Sequence, residues 1–80
     1  MSDILLYTSP GCPDCAALKR WFADHDIAHT EYDLSRPGVA EEAKRRYGVR
    51  VAPITVIDGQ VFYGTFEDQR PKIEATLRNG

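Results

Sequence analysis

The chain has 80 residues, of which 42% are apolar and 28% are charged, and its net charge is −2. This length and composition predict one small globular domain over residues 1–80 and exclude a disordered chain, because enough apolar side chains are available to form a core. Two cysteines are too few for a disulfide-stapled secreted scaffold, and no apolar run approaches the ~20 residues that span a membrane.

The first strand and the first helix are predicted from a change of pattern along the chain. The apolar run Ile4–Tyr7 ends at Thr-Ser-Pro-Gly, which indicates a buried strand, and we expect it at the centre of the sheet. From Cys12 to about His25, apolar residues recur at a helical period. Pro13 falls in the first turn of this helix, where its missing N–H is not needed.

A second strand and helix follow. Weak alternation over residues 29–34 favours a strand. Ser35 is the expected N-cap of the next helix, Pro37 lies in its first turn, and Gly48 is its expected C-terminal stop. Residues spaced four apart form one apolar face of this helix: Val39, Ala43 and Tyr47.

The last third of the chain predicts a hairpin and a helix. Ile54–Ile57 and Val61–Tyr63 are β-branched or aromatic runs on either side of an Asp-Gly pair, which is typical of a tight hairpin. Thr65, followed three residues later by Asp68, resembles a capping box that opens a final helix.

The element order is therefore βαβαββα, which predicts an α/β fold with a four-stranded mixed sheet flanked by three helices. The periodicities assign these side chains to the core: Leu18, Phe22, Val39, Ile54, Val56, Ile73 and Leu77.

The two cysteines have the spacing and the position of a redox dithiol. Cys12 follows a buried strand at the start of a helix, where unpaired N–H groups and the helix dipole stabilise a thiolate. Cys15 lies one turn further along, within reach of Cys12, and can attack a mixed disulfide formed there. A Cys-x-x-Cys motif after the first strand of a βαβ unit favours thiol–disulfide exchange.

Two other interpretations of the cysteine pair stay open. His25 and His29 complete a pattern close to a zinc finger, but with fewer than the usual ~12 residues between the second Cys and the first His. A static disulfide would close so short a loop that little chain entropy is gained.

The motif Cys-Pro-Asp-Cys, after a strand and at the start of a helix, resembles the glutaredoxin active site, Cys-Pro-aromatic-Cys. The resemblance covers nearly the whole chain and implies a thioredoxin fold. It also implies a thiol–disulfide oxidoreductase that reduces protein or low-molecular-weight disulfides, with Cys12 as nucleophile and Cys15 as resolving thiol. Such an enzyme needs no bound cofactor, because its electrons come from a thiol or a reductase.

Two further segments carry the resemblance. Val-Ala-Pro at residues 51–53 looks like the family's Thr-Val-Pro, which implies a cis Pro53 against the dithiol and a backbone at Ala52 that pairs with substrate. Gly-Thr-Phe-Glu-Asp at residues 64–68 looks like the Gly-Gly-x-Asp-Asp segment that contacts the glutamyl end of glutathione. Arg50 is a candidate for holding a substrate carboxylate. The resemblance thus implies these substrate-binding residues: Pro13, Asp14, Arg50, Val51, Ala52, Pro53, Thr65 and Asp68.

Several departures from the family pattern bear on the substrate. Asp14 replaces the aromatic residue, no basic residue precedes the cysteine motif, and Thr65 replaces the second glycine. We expect Asp14 to be solvent-exposed in the first helical turn, where its charge suits the dipole but opposes the thiolate. Short glutaredoxin-like redoxins that share the Ala-Pro pair imply an alternative, a thioredoxin-reductase-dependent electron donor to ribonucleotide reductase.

The expected partners are a disulfide substrate, protein or glutathione-like, and a reductase or thiol as electron source. The chain has 10 basic and 12 acidic residues and no broad basic surface, so we expect no nucleic-acid partner. The N-terminus lacks the basic flank and apolar stretch of a secretory signal, so we expect a cytoplasmic monomer that does not bind membranes. Metal binding is the alternative of a different class: zinc, or the iron–sulfur cluster that some glutaredoxin relatives hold between two copies. Pro13 and the second cysteine disfavour the cluster.

Overall fold

In the computed structural model, which describes residues 3–79, the strands and helices follow the predicted order βαβαββα. The elements are β1 (Ile4–Thr8), α1 (Pro13–Asp24), β2 (Thr30–Asp33), α2 (Val39–Tyr47), β3 (Ile54–Ile57), β4 (Gln60–Tyr63) and α3 (Phe66–Asn79). Within this described range, no helix has the length and apolar content needed to cross a bilayer.

The strands form one mixed sheet in the order β2-β1-β3-β4. β1 runs parallel to β2 and antiparallel to β3, and β3 and β4 form the antiparallel hairpin. The register places Tyr7 opposite Ile54, and Ile54 opposite Tyr63. The predicted four-stranded mixed sheet, with β1 in its interior, is confirmed.

The two faces of the sheet are covered by different helices, because alternate side chains of each strand point to opposite faces. On one face Leu6 packs with Phe22 of α1 and Ile73 of α3. On the other face Tyr7 and Ile54 pack with side chains of α2. Helices α1 and α3 therefore cover one face and α2 covers the other.

The predicted core is largely confirmed. The buried members of the predicted set are Leu18, Phe22, Ile54, Val56 and Ile73. Val39 and Leu77 are only half-buried at the edges of the two clusters. Val39 is the first residue of α2 and Leu77 lies in the last turn of α3, so neither is covered on all sides.

The start of α2 differs from the prediction. Ser35 is not its N-cap: its backbone N–H and hydroxyl both donate to Asp33 Oδ1, at 2.8 and 2.6 Å. This interaction closes a turn directly after β2, and Pro37 lies in the following turn. The helix begins after Gly38, which is its N-cap with φ of 83°. Its predicted stop at Gly48 is confirmed, with φ of 76°.

The hairpin and the opening of α3 follow the predicted chemistry. Asp58 and Gly59 have φ of 49° and 87°, as a tight two-residue hairpin turn requires. Thr65 Oγ1 accepts a hydrogen bond from the Asp68 N–H at 3.1 Å, which is one half of the predicted capping box.

Candidate active site

Three loops leave the sheet at the same end. The register aligns Tyr7, Ile54 and Tyr63 across β1, β3 and β4. The loop after β1 leads to the cysteines, the segment before β3 contains the Val-Ala-Pro motif, and the turn after β4 leads into α3. The fold thus brings three sequence-predicted segments to one end of the molecule.

Cys12 is the N-cap of α1, with an extended backbone at φ of −89° and ψ of 110°. Its sulfur accepts a hydrogen bond from the Cys15 N–H at a donor–acceptor distance of 3.1 Å. Both cysteines are free thiols; Cys12 is half-buried, whereas Cys15 is only 3% exposed. Pro13 opens the helix and has no N–H of its own to direct at the sulfur. An N–H that donates to sulfur from a helix N-terminus stabilises a thiolate.

The second thiol is held in its protonated form. Burial, followed by the hydrogen bond with Cys12, raises the pKa of Cys15 to about 12. A hydrogen bond from the Ser9 backbone opposes this rise. The two thiols are therefore unequal, with an accessible sulfur at the helix cap and a shielded one a turn below it.

Asp14 is not free in solvent, so the expectation from the sequence is wrong on this point. Its Oδ1 accepts a hydrogen bond from the backbone N–H of Phe66 at 3.0 Å, and Asp14 is half-buried. Phe66 is the first residue of α3. Asp14 thus links the N-terminus of α1 to the N-terminus of α3.

Gln69 is a buried residue of this site that sequence reasoning missed. Its Nε2 donates to the carbonyl oxygens of Pro53 and Gly64, both at 2.9 Å, and its Oε1 accepts from the Thr55 hydroxyl at 2.7 Å. The side chain is fully buried. The available signal was a glutamine on the apolar stripe of α3, four residues before Ile73.

The Val-Ala-Pro segment has the geometry that the resemblance implies. The Ala52–Pro53 peptide bond is cis, so this prediction is confirmed. Pro53 is buried, Ala52 is half-buried, and Val51 is 71% exposed. Through Gln69 the segment is tied to the turn that opens α3. Arg50 is exposed, and no described hydrogen bond or ion pair of residues 3–79 joins it to the other predicted site residues.

A cleft of about 440 Å³ lies beside the dithiol. Thr8 donates its hydroxyl hydrogen to Glu31 Oε2 at 2.7 Å, and Lys19 Nζ lies 3.2 Å from the same oxygen. The Thr8 hydroxyl, followed by Lys19, lowers the pKa of Glu31. The lining residues are Thr8, Ser9, Pro10, Gly11, Cys12, Pro13, Cys15, Ala16, Lys19, Glu31 and Asp33.

The two histidines of the zinc hypothesis lie at other contacts. His25 Nδ1 is 2.9 Å from the Trp21 carbonyl oxygen, and His29 Nδ1 is 3.3 Å from that of Ile27. In the part of the chain that the structure describes, no three His, Cys, Asp or Glu side chains converge where a metal ion could bind. The geometry therefore does not bring these histidines together with the cysteine pair.

A mixed sheet flanked by three helices, with a dithiol at the first helix N-terminus and a cis-proline segment at the same end, defines a thioredoxin-fold redox protein. The Glutaredoxin family model matches residues 4–62. The chain therefore belongs to the glutaredoxin family, and the predicted fold and family are confirmed. Membership supports a general role in thiol–disulfide oxidoreduction.

Individual relatives agree with this assignment. The chain is 28% identical over 61 residues to the glutaredoxin-like protein NrdH of Lactococcus lactis subsp. cremoris, covering 76% of this chain and 85% of that protein. It superposes on a variant of the thioredoxin-like protein BC3987 with a TM-score of 0.83 and 28% identity, covering 94% of this chain and 99% of the other. Glutaredoxin 1 from Francisella tularensis shares the fold, with a TM-score of 0.72, 21% identity and coverage of 98% and 99%.

Proposed function

We propose that this chain reduces protein or low-molecular-weight disulfides, with Cys12 as nucleophile and Cys15 as resolving thiol. The observation that supports this assignment best is the inequality of the two thiols. Cys12 Sγ is accessible and accepts the Cys15 N–H at 3.1 Å, whereas Cys15 is 3% exposed with a raised pKa. An accessible sulfur at a helix N-terminus suits attack, and a shielded neighbour suits release of the product.

The reaction has two exchange steps. The Cys12 thiolate attacks one sulfur of the substrate disulfide, forms a mixed disulfide and releases the first substrate thiolate, which takes up a proton. Cys15 then loses its proton and attacks Cys12 Sγ, which forms the Cys12–Cys15 disulfide and releases the second substrate thiol. Two electrons pass from the dithiol to the substrate, and an external thiol or reductase returns them.

The remaining site residues are proposed to bind the substrate. Val51 and Ala52 lie next to the cis-proline at the end of the sheet where the dithiol lies, and an extended peptide could pair there with the Ala52 backbone. Thr65 and Asp68 at the start of α3 are proposed to contact a small thiol substrate, and the exposed Arg50 to bind its carboxylate. Pro13 and Asp14 border the nucleophile.

A second candidate is a more specific version of the first. It is the alternative that the sequence resemblance implies, a redoxin that takes electrons from thioredoxin reductase and passes them to ribonucleotide reductase; the 28% identity to a glutaredoxin-like protein NrdH supports a short redoxin. The dithiol chemistry is the same in both cases, so the two candidates differ only in electron source and in protein partner.

The test is turnover of hydroxyethyl disulfide, with NADPH consumption as the signal. One assay supplies glutathione and glutathione reductase, and the other supplies thioredoxin reductase alone. We expect sustained turnover in at least one assay, none from Cys12→Ser, and a mixed disulfide detectable by mass spectrometry in Cys15→Ser. Turnover in either assay supports disulfide reduction by this dithiol, and the second candidate also requires turnover with thioredoxin reductase alone. If neither assay distinguishes wild type from Cys12→Ser, the proposed function is wrong.

A further inference from the structure

The N-terminus of α3 borders the dithiol, and side chains of this chain already bind two of its amides. Asp14 Oδ1 accepts the Phe66 N–H at 3.0 Å, and Thr65 Oγ1 accepts the Asp68 N–H at 3.1 Å. Helix N-termini attract anions because their first N–H groups lack partners within the helix. A substrate carboxylate that approaches this helix therefore meets Asp14 at the amide that it would otherwise bind.

Apart from the exposed Arg50, proposed above to bind a substrate carboxylate, other charges near the dithiol also disfavour an anionic substrate. Glu67 and Asp68 are exposed in the first turn of α3. Glu31 and Asp33 line the cleft beside the dithiol, and the lysine of that cleft, Lys19, is paired with Glu31 at 3.2 Å. Hydrogen bonds from the Thr8 and Ser35 hydroxyls lower the pKa of these two cleft carboxyls, so both are ionised at neutral pH. Acidic side chains thus lie in the cleft that Cys12 lines and in the first turn of α3.

We propose that Asp14 is a specificity-determining residue, which makes this dithiol prefer neutral and cationic disulfides to disulfides that carry carboxylates. The inference rests on the proposed function and names the substrate class of the same site. Asp14 acts in two ways: its charge repels an anionic substrate, and its Oδ1 occupies the Phe66 N–H. The exchange steps at Cys12 and Cys15 are the same for every substrate.

The experiment measures oxidation of the pre-reduced protein by three small disulfides, without any reductase. The disulfides are dithiodipropionate, which is anionic, hydroxyethyl disulfide, which is neutral, and cystamine, which is cationic. Acid quenching followed by mass spectrometry gives the rate at which the two thiol hydrogens are lost. Each rate is divided by the rate of the same disulfide with dithiothreitol, which removes differences in intrinsic reactivity. For wild type at low salt we expect the normalised rate to be highest with cystamine, intermediate with hydroxyethyl disulfide and lowest with dithiodipropionate.

Three variants separate the two actions of Asp14. Asp14→Asn removes the charge but keeps an oxygen for the Phe66 N–H, and should raise the dithiodipropionate-to-cystamine ratio on the order of 5-fold to 10-fold at low salt. Asp14→Ala also frees the amide, and should accelerate dithiodipropionate by a further 2-fold to 5-fold or so, without a matching gain for hydroxyethyl disulfide. Asp24→Asn makes the same charge change at the other end of α1 and should leave the ratio unchanged.

The outcomes are distinguishable. In one outcome, wild type reacts with all three disulfides while Asp14→Asn shows the same dithiodipropionate-to-cystamine ratio as wild type. That result overturns the inference and leaves the proposed function standing. Equal rates for Asp14→Asn and Asp14→Ala with dithiodipropionate would overturn the role of the Phe66 amide. If wild type reacts with none of the three, both the proposed function and this inference fail. Asp14→Asn keeps the helix-capping oxygen, so the test does not depend on Asp14→Ala being folded.

Discussion

At the scale of single residues, the buried thiol of Cys15 makes stability depend on pH. Burial raises its pKa from an ordinary 9.0 to about 12 in the folded protein. Below pH 9 the thiol is protonated in both the folded and the unfolded chain, so it does not make the free energy of unfolding depend on pH. Between pH 9 and about pH 12 the unfolded chain loses the proton while the folded chain keeps it, so unfolding becomes more favourable as pH rises.

We therefore predict that the free energy of unfolding of the reduced protein falls by on the order of 1–3 kcal/mol as the pH rises from 9 to 11. Urea titrations at several pH values, in the presence of a reductant, measure this fall. Cys15→Ala should show a smaller fall. Some slope should remain in that variant, because burial also raises the pKa of Tyr7 to about 12. An identical pH dependence in wild type and Cys15→Ala would contradict the prediction.

At the scale of elements, Gln69 of α3 connects the cis-proline segment and β3 to the turn that opens its own helix. One amide binds the carbonyl before β3, the carbonyl before α3 and a hydroxyl of β3. If this amide is removed, the buried carbonyl and hydroxyl groups that it binds are left without a hydrogen-bond partner, at a cost of ~1–3 kcal/mol each. The position of the cis-proline segment relative to the dithiol therefore depends on a side chain of α3.

We predict that Gln69→Leu lowers the free energy of unfolding by about 2–4 kcal/mol and reduces activity on a protein disulfide more than on a small one. Insulin and hydroxyethyl disulfide, both with dithiothreitol as reductant, give the ratio of the two activities. Thr55→Val is the matched control: it removes one hydrogen bond of the same amide but leaves both carbonyl contacts. A similar loss of the insulin-to-hydroxyethyl-disulfide ratio in both variants would show that Gln69 acts only through stability.

The sequence predicted what local chemistry determines and missed what depends on distant contacts. The Asp-Gly hairpin, the stop at Gly48 and the dithiol position follow from neighbouring residues. The start of α2 was misplaced because Asp33, on the preceding strand, competes for the Ser35 donors. The partner of Asp14 lies 52 residues further along the chain, and no local pattern indicates such a contact.

At the scale of the whole molecule, the core is small and each buried side chain matters. An 80-residue domain has a stability of roughly 4–12 kcal/mol in total. Ile73 is fully buried where α3 packs against the sheet and α1. The loss of one such side chain is therefore a large fraction of the total.

We predict that Ile73→Ala lowers the free energy of unfolding by about 2–5 kcal/mol, through lost burial and the cavity that remains. Lys72→Ala, at the exposed neighbouring position of the same helix, should change it by less than about 0.5 kcal/mol. Urea unfolding followed by tryptophan fluorescence compares the two. Equal midpoints for both variants would mean that α3 does not close the core as described.

The unequal shielding of the two sulfurs also governs how the redox state of this protein can be counted. A bulky maleimide added to the native, reduced chain should attach one tag, at Cys12, because Cys15 is only 3% exposed. The same reagent added after acid denaturation should attach two. A half-tagged band from a native sample therefore reports accessibility rather than oxidation, and the oxidised fraction in a cell extract is measurable only after the chain has been unfolded.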